Sequence, residues 1–535
     1  MLKDLSNLKT GENLSHNIKI FLSSLKMAVA TFMSRILGLV REQFIAYLFG
    51  ASGFTDAFLI AYRIPNLLRD LFAEGAFSSA FVPTFVSANL KNKETARKLL
   101  WSLFILLFGL SSLIVAGMIF FTPELINLFA PTFKDDPEKF KLTVLLTRIM
   151  SPFFIFISIA ALFMGVLNSL KVFFIPSFAP VFFNIVMILS MIIFPSILIE
   201  RGMEPILSLG FGVLIGGFVQ ALVQFPMILK KGYGPTKPDK IFSKQTQKVL
   251  ILLGPGLIGF AATQINLIVN TILASSTVVG AVSWLSFSFR LFQLPVGILS
   301  VSIGNSNLVH FSSAWKDGKH AEAKNFLASS YFLSFFLVVP AMIALMTCSE
   351  EMVNIIFERG KFDAHSTTMT AMALRFYAIG LPLYSIYKIF VPTFYAIDRQ
   401  KIPVLCSIIG IVFNIIFCVL LTPIYGFKVL ALGTTLSMFL NTGLQGIILR
   451  KDLSLSWSYF VNIRIIKIAI SGALTATCIM YLKQFISFDE GGLLLRVSYL
   501  TGYLIFIASC YFFLCYLLGE RAAVNNLFKR FLKTK

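Results

Sequence analysis

Fourteen continuous apolar runs of helical length divide this chain, and no other feature limits its fold as severely. They lie near residues 27–50, 57–88, 99–122, 142–168, 173–199, 205–229, 247–273, 278–311, 325–348, 368–397, 402–423, 427–449, 463–486 and 493–518. A helix crosses the hydrocarbon core of a bilayer with about 20 mainly apolar residues. A membrane barrel would instead show alternating segments of about ten residues. Charged residues make up 13% of the 535, against about 25% in a soluble protein. Such a chain cannot clothe a soluble surface. The expected fold is an all-α polytopic membrane protein of about 14 transmembrane helices. A soluble enzyme and a disordered chain are excluded.

Several chemistries find no residues to carry them. The six cysteines form no CxxC pair and sit mostly in apolar stretches, as small buried side chains do. Four scattered histidines lack metal-binding spacing, so no protein-bound metal centre is expected. Residues 1–26 lack the apolar core and cleavage site of a removable signal peptide. No GxxxxGK[ST] loop is present, so nucleotide hydrolysis is not expected.

The net charge of +21 is distributed unevenly. Of 46 Lys and Arg, 29 fall in the termini and the even-numbered connections and nine in the odd-numbered ones. This is the positive-inside pattern, and it predicts that both termini are cytoplasmic. The basic loops are short and lack interleaved aromatics. They predict contact with anionic membrane lipids and no nucleic acid.

Eight basic residues remain inside the runs: Arg35, Arg41, Arg63, Arg69, Arg148, Arg290, Arg375 and Lys388. The acids there are Glu42, Asp70 and Glu74, with Asp56 at the edge of the second run. An ionisable group at membrane depth costs several kcal/mol, so it faces a partner or a cavity. Eight cations against three or four acids leave spare positive charge, which suggests an anionic ligand. Arg35 and Arg41, six residues apart, project within about 120° of each other; Arg63 and Arg69 repeat that spacing. Structural Arg–Glu pairing is the competing reading. For Arg148, Arg375 and Lys388 the competing reading is a long stem reaching the membrane interface.

An internal repeat adds architecture. At an offset of 230, Pro152 matches Pro382 and Asn184 matches Asn414. At 221, Gly212 and Gln224 match Gly433 and Gln445. The expectation is two six-helix lobes related by a pseudo-two-fold axis along the membrane normal, plus two extra C-terminal helices, with the ligand site between the lobes. The segments read as a cytoplasmic N-terminus (1–26), N-lobe (27–229), basic cytoplasmic linker (230–246), C-lobe (247–449), helices 13–14 (450–518) and a basic cytoplasmic tail (519–535).

Residues 34–83 read SRILGLVREQFIAYLFGASGFTDAFLIAYRIPNLLRDLFAEGAFSSAFVP. Together with residues 168–184 (NSLKVFFIPSFAPVFFN), Gly254-Pro255, Ser283-Trp284 and RLFQLPVG from Arg290, this tract resembles the MurJ (MviN) family of lipid II flippases over nearly the whole chain. The resemblance implies the fold of the MOP superfamily, which includes the MATE exporters. It also implies transport of undecaprenyl-pyrophosphate-linked peptidoglycan precursor from the cytoplasmic to the outer leaflet of the bacterial inner membrane, and so a role in cell-wall synthesis and cell shape. The family's cavity arginines fall on Arg35, Arg41, Arg69 and Arg290, its serine on Ser34, and its acids on Glu42 and Asp56. Arg63, Asn66 and Glu74 belong to the same tract and complete the candidate substrate-binding set. Family members thought to bind sodium use carboxylates that are absent here; Gln264, Asn266 and Asn414 offer neutral oxygens instead. Phe289 and Gln293 stand where some members carry acids. The family's lipid-tail groove in helices 13–14 would fall at Tyr511, Phe512 and Phe513.

The expected function is therefore a lipid II flippase working by alternating access, a transporter and not an enzyme. It needs no cofactor, sodium or the membrane potential supplies the coupling, and the peptidoglycan synthesis machinery is a candidate partner. Guanidinium groups suit pyrophosphate because their planar fork bonds two oxygens. A flippase for another polyprenyl-linked oligosaccharide and a drug or ion antiporter of the same superfamily stay open. A membrane-embedded transferase would need catalytic acids, for which Asp135 and Asp136 in a polar loop are the weak candidate.

Overall fold

A computed structural model describes residues 26–27, 29–73, 76–486, 488 and 491–532. Every regular element among them is helical. Ten helices are long and apolar enough to cross a membrane, and eleven when one bent pair counts as a single span. The helix at 29–49 (α1), Gly53–Ala73 (α2) with Ala76–Lys91 (α3), and Lys244–Ser275 (α11) stand outside that count. The first two of these hold most of the intramembrane charge read from the sequence, which lowers their hydropathy.

Two compact units divide the chain at Ile268 and Val269. In unit 1, α1 to α3 are followed by Lys93–Phe120 (α4), the short Thr122–Phe129 (α5), Pro137–Met150 (α6) and Phe153–Ser169 (α7). Phe174–Glu200 (α8), Leu207–Leu222 (α9), Phe225–Lys230 (α10) and the first part of α11 complete it. Lipid tails are as apolar as leucine, so close backbone approach supplies much of the contact energy between membrane helices. Glycines mark those approaches. A Cβ on Gly212 of α9 would collide with Ser190 of α8, and one on Gly165 of α7 would meet Phe81 of α3 at 2.8 Å. Phe77, Phe81 and Phe85 repeat every four residues and form one buried ring stack along α3, ending on Tyr233.

The segment between α10 and α11 is fastened to unit 1. The Arg97 guanidinium donates to the carbonyls of Gly234 and Pro235, both at 2.8 Å, and the Trp101 indole donates to Tyr233 O at 3.1 Å. Lys98 pairs with Asp239 at 2.7 Å, and the Tyr233 hydroxyl donates to Asn89. Part of the segment read as a basic linker, 230–246, is thus strapped to α4.

Unit 2 holds the rest of α11, then Ala281–Pro295 (α12), a π-turn at Val296–Ser300 and Val301–Lys316 (α13). His320–Thr347 (α14), the short Ser349–Phe357 (α15), and Ala364–Ile379 (α16) bent by 43° from Leu381–Ala396 (α17) come next. Lys401–Tyr425 (α18) packs on Lys428–Asp452 (α19), where a Cβ on Gly433 would sit 2.6 Å from the Cys418 sulfur and 2.8 Å from Asn414 Oδ1. Prolines break two spans: Pro152 precedes α7, and Pro382 lies in the first turn of α17. These are the two prolines paired by the repeat. Each lacks the N–H that would continue the preceding helix's ladder.

Ile463–Leu482 (α20), Leu493–Leu517 (α21) and Arg521–Leu532 (α22) end the chain. α20 and α21 dock on α14 through an apolar cluster that includes Phe336, Ile468, Ile479, Tyr503 and Tyr511. Ionic contacts flank it: Lys483 pairs with Glu351 of α15, and Arg496 donates to Asn354 Oδ1 at 3.2 Å. Arg464 forks onto Glu520. The aromatic run at 511–513 is only partly accessible. Tyr511 is fully buried against Phe336, and Phe512 packs on the same ring. Of the three, only Phe513 is exposed.

Candidate functional site

α1 and α2 carry the cationic site of unit 1. Arg41 lies on α1 with its side chain 11% exposed. Its Nη2 donates to Glu42 Oε1 at 2.6 Å and its Nη1 to Asn184 Oδ1 of α8 at 3.1 Å. The Asn184 amide in turn donates to Ser34 O at 3.2 Å. One amide therefore ties the α1 backbone at Ser34 to the guanidinium two turns on. Phe183 covers Arg41 with its ring centroid 5.8 Å away. Arg41 Nε is buried with no hydrogen-bond partner, an unspent donor in the cluster.

Arg69 lies within electrostatic reach of Arg41, as does Tyr62. Its own close partner is Asp70, at 2.6 Å from Nη2 and 3.1 Å from Nε. Arg63 is half-buried one and a half turns earlier, and Asn66 Oδ1 between them is buried without a hydrogen-bond partner. Arg35 is exposed, with no hydrogen bond or ion pair among the described residues. The side chain of Glu74 lies outside the described residues. Among the described residues, α1 and α2 thus carry four arginines, with Glu42 and Asp70 bonded to Arg41 and Arg69.

Asp56 departs from its expected place among the arginines. It sits in the first turn of α2, about 20 Å along the helix from Arg69. There it is buried, with Lys139 of α6 4.0 Å away. The Lys139 ammonium also lies 3.8 Å from the centroid of Phe133. An ion pair near the end of the helix is the physical reason a carboxylate is tolerated in that position.

Arg290 belongs to unit 2, in the first third of the α12–α13 span, and is exposed. Phe289 beside it packs on Tyr377 and Phe292. Arg375, read as reaching for the interface, pairs with Glu350 at 3.0 Å and donates to Ser349 at 2.8 Å.

The neutral oxygens considered for sodium have other surroundings. Gln264 is the single polar group lining an apolar cavity of about 370 Å³ in unit 1, with Ile64, Leu67, Met118, Leu125 and Ile265 around it. A hard cation needs several oxygens at once. In unit 2, Asn414 is fully buried; its amide donates to Asn270 Oδ1 at 3.1 Å and its Oδ1 accepts from Cys418. Asn266 has a bonding partner of its own. No group of three or more His, Cys, Asp or Glu among the described residues is placed to hold a metal ion.

The sequence alone does not reveal Asn184 and Lys139 as partners in this region. Asn184 is visible as a lone amide in an apolar run, matched to Asn414 by the repeat, but nothing in its spacing points to Arg41, 143 residues away.

The family model described as lipid II flippase MurJ matches residues 45–499. A lipid II flippase MurJ of Burkholderia cenocepacia is 34% identical over 95% of this chain and 99% of its own length. A probable lipid II flippase MurJ of Rickettsia prowazekii is 33% identical over 93% and 98%. Among solved structures, a lipid II flippase MurJ in an inward closed conformation superposes with a TM-score of 0.76 at 28% identity, covering 91% of this chain and 98% of its own. An inward-facing MATE transporter of the MOP superfamily reaches 0.62 at 14% identity, over 80% and 98%, which shows a shared fold.

Proposed function

The chain belongs to the lipid II flippase MurJ family, and from that premise we propose that it carries lipid II across the inner membrane by alternating access. The observation that carries the reading is the cationic excess on α1 and α2. Among the described residues, Arg35, Arg41, Arg63 and Arg69 stand against Glu42 and Asp70, since Asp56 pairs with Lys139 at the far end of α2, and Arg41 keeps one guanidinium donor unspent. Arg35, Arg41 and Arg69 present the guanidinium groups of unit 1 to the pyrophosphate, and Arg290 is the corresponding group of unit 2. Glu42 and Asn184 hold Arg41 in place until an anion competes for it. A pyrophosphate offers the paired oxygens that a planar fork bonds best.

In this reading the chain has fourteen spans in two related six-helix lobes, with helices 13–14 appended and both termini cytoplasmic. The repeated proline breaks and the two glycine-packed helix pairs support the relation between lobes. Collaboration with the peptidoglycan synthesis machinery is the natural consequence of the cargo. The membrane potential supplies the drive, since an inside-negative potential favours outward movement of an anion by about 2.3 kcal/mol per charge per 100 mV. The oxygens of Gln264 and Asn414, one in an apolar cavity and one already bonded, favour the potential over sodium.

Proteoliposomes loaded with fluorescent lipid II test both parts. Arg41→Ala abolishes transport while the protein stays folded, and Arg41→Lys is also poor because a point charge loses the fork. Wild-type flux falls when the potential is collapsed. Normal flux in either variant defeats the pyrophosphate role; flux that ignores the potential and depends on sodium defeats the coupling.

A further inference from the structure

A polar pocket of about 440 Å³ in unit 2 involves none of the residues assigned to the cargo above. Glu350, Glu351, Asn354 and Glu358 line it from α15 and its C-cap, and Arg496 lines it from the first turn of α21. Two connections meet there. Lys483, just past α20, pairs with Glu351, and Arg496 donates to Asn354 Oδ1 at 3.2 Å. These are the connections after the ninth and thirteenth expected spans. Both are odd-numbered, so loop charge predicts that the pocket faces outward.

Part of its charge is not spent within the chain. Glu350 pairs with Arg375 at 3.0 Å. Glu351 is only 5% exposed and gives Oε1 to Lys483, while its Oε2 is buried with no hydrogen-bond partner. An unsatisfied buried acceptor costs about 1–3 kcal/mol, and more when it is charged. Glu358 is half-buried, and its carboxylate has no hydrogen bond or ion pair among the described residues. It caps the C-terminus of α15, where the negative end of the helix dipole opposes a carboxylate. Both acids therefore favour a cationic occupant. A hard metal ion wants several oxygens at once, and no group of three or more acids, His or Cys among the described residues is placed to hold one. An ammonium brings three N–H donors instead.

Arg496 gives that occupant a second charge. Its bond to Asn354 sets the guanidinium three residues along α15 from Glu351, about 4.5 Å of rise. The second ammonium of a diamine would be repelled there, whereas a phosphate is bonded. Ethanolamine phosphate joins an ammonium to a phosphate through two carbons, a reach of about one helical turn. The surroundings of Arg496 are those of lipid. Leu493, Leu494, Leu495 and Val497 are exposed around it, as are Tyr481 and Phe485 before it. Aromatic side chains at span ends mark the headgroup level. We propose that this pocket binds the phosphoethanolamine headgroup of an outer-leaflet lipid, with the ammonium on Glu351 Oε2 and the phosphate on Arg496. Glu358 adds negative field to the same pocket. Choline has no N–H to give Glu351, and a glycerol headgroup has no cation. A lipid held in this way fastens α15 to α21.

The inference stands apart from the cargo, and its test uses none. Full-length protein in detergent is titrated with dioleoyl phosphatidylethanolamine, phosphatidylcholine and phosphatidylglycerol, and bound lipid is read by native mass spectrometry. The ethanolamine lipid binds about tenfold tighter than the other two, the worth of one charge-assisted contact. Glu351→Gln removes that preference. Glu358→Gln, which has no protein bond to lose, reduces it about threefold and decides the matter if Glu351→Gln folds poorly. Equal binding of the three lipids, or an unchanged preference in Glu358→Gln, overturns the proposal. Displacement of the lipid by equimolar glycerophosphoethanolamine or spermidine assigns the pocket to a soluble ligand and overturns it too. Amide exchange reads the site locally: residues 350–358 exchange more slowly in nanodiscs of the ethanolamine lipid than in those of the choline lipid. Equal exchange in the two overturns the proposal.

Discussion

Arg41 is gripped by two unlike partners, a carboxylate at 2.6 Å and an amide at 3.1 Å, and the difference between them sets how tightly the cation is held. Glu42 balances its charge. Asn184 directs the fork without cancelling its field, so an arriving anion still meets net positive potential. Asn184→Ala removes one hydrogen bond to a charged group, about 1.5–3 kcal/mol, and lowers lipid II transport by about tenfold. Asn184→Asp is the sharper test. It gives the guanidinium a second carboxylate, neutralises the cluster and reduces transport further than alanine does. Wild-type flux with aspartate at 184 would show that charge balance at Arg41 is irrelevant to the cargo. The arginines themselves were legible in the sequence, because an ionised group in an apolar run stands out. Their partners were not. Glu42 is adjacent and easily guessed; Asn184 and Lys139 come from other helices, and only the packing of α8 on α1 and of α6 on α2 brings them in.

Among the elements, the strap between α10 and α11 shows what residue patterning misses. Its composition is basic and polar, with Gly232, Gly234, Pro235 and Pro238, which reads as a linker. Four side chains of α4 and Asn89 hold it instead, and the backbone carbonyls they use are invisible to residue patterning. Arg97→Ala breaks two of those bonds. Amide exchange over residues 232–240 then accelerates tenfold or more, given about 1.5–3 kcal/mol for each charge-assisted bond. Exchange unchanged from wild type would mean that the strap is held elsewhere. The Tyr233 hydroxyl titrates in the same element. Burial pushes it above its ordinary value of 10.0, against the smaller opposing effect of its bond to Asn89. The folded strap keeps that proton at pH values where the unfolded chain has lost it. Its contribution is therefore complete below pH 10 and declines as pH rises toward the raised value. Across the neutral range, wild-type strap exchange is free of any Tyr233 titration. The π-turn was no more legible than the strap. Pro295 marks where the helix ladder fails, but only the structure shows that a π-turn at Val296–Ser300 follows it.

For the whole molecule, helix number and orientation come from two different physical signals. Apolar length marks a span only where charge is scarce, and the runs holding Arg35, Arg41, Arg63 and Arg69 are among those that composition alone fails to certify as spans. Loop charge is independent of that weakness: the 29-to-9 bias of Lys and Arg runs the length of the chain. A single miscounted helix would reverse the bias in everything after it. Orientation is therefore the strictest test of a fourteen-span count. Alkaline phosphatase inserted after Gly202 or after Lys361 is active, since both sites lie in odd-numbered connections. The same enzyme inserted at 318 or fused after 535 is inactive, while green fluorescent protein fused after 535 is bright. Activity at both 202 and 318 would place an odd number of crossings too many or too few between them, and the pairing of the lobes would fall with it. The charge pattern also makes a quantitative demand. Replacing Lys316, Lys319 and Lys324 with glutamine leaves the connection after the eighth span with no excess over its neighbours. The phosphatase at 318 then gains activity in a fraction of molecules, whereas the same number of substitutions at Lys134, Lys141 and Arg201 leaves every reporter as it was. Equal disturbance by both sets would mean that apolar length alone orients this chain and that its surplus charge serves the cargo rather than the topology.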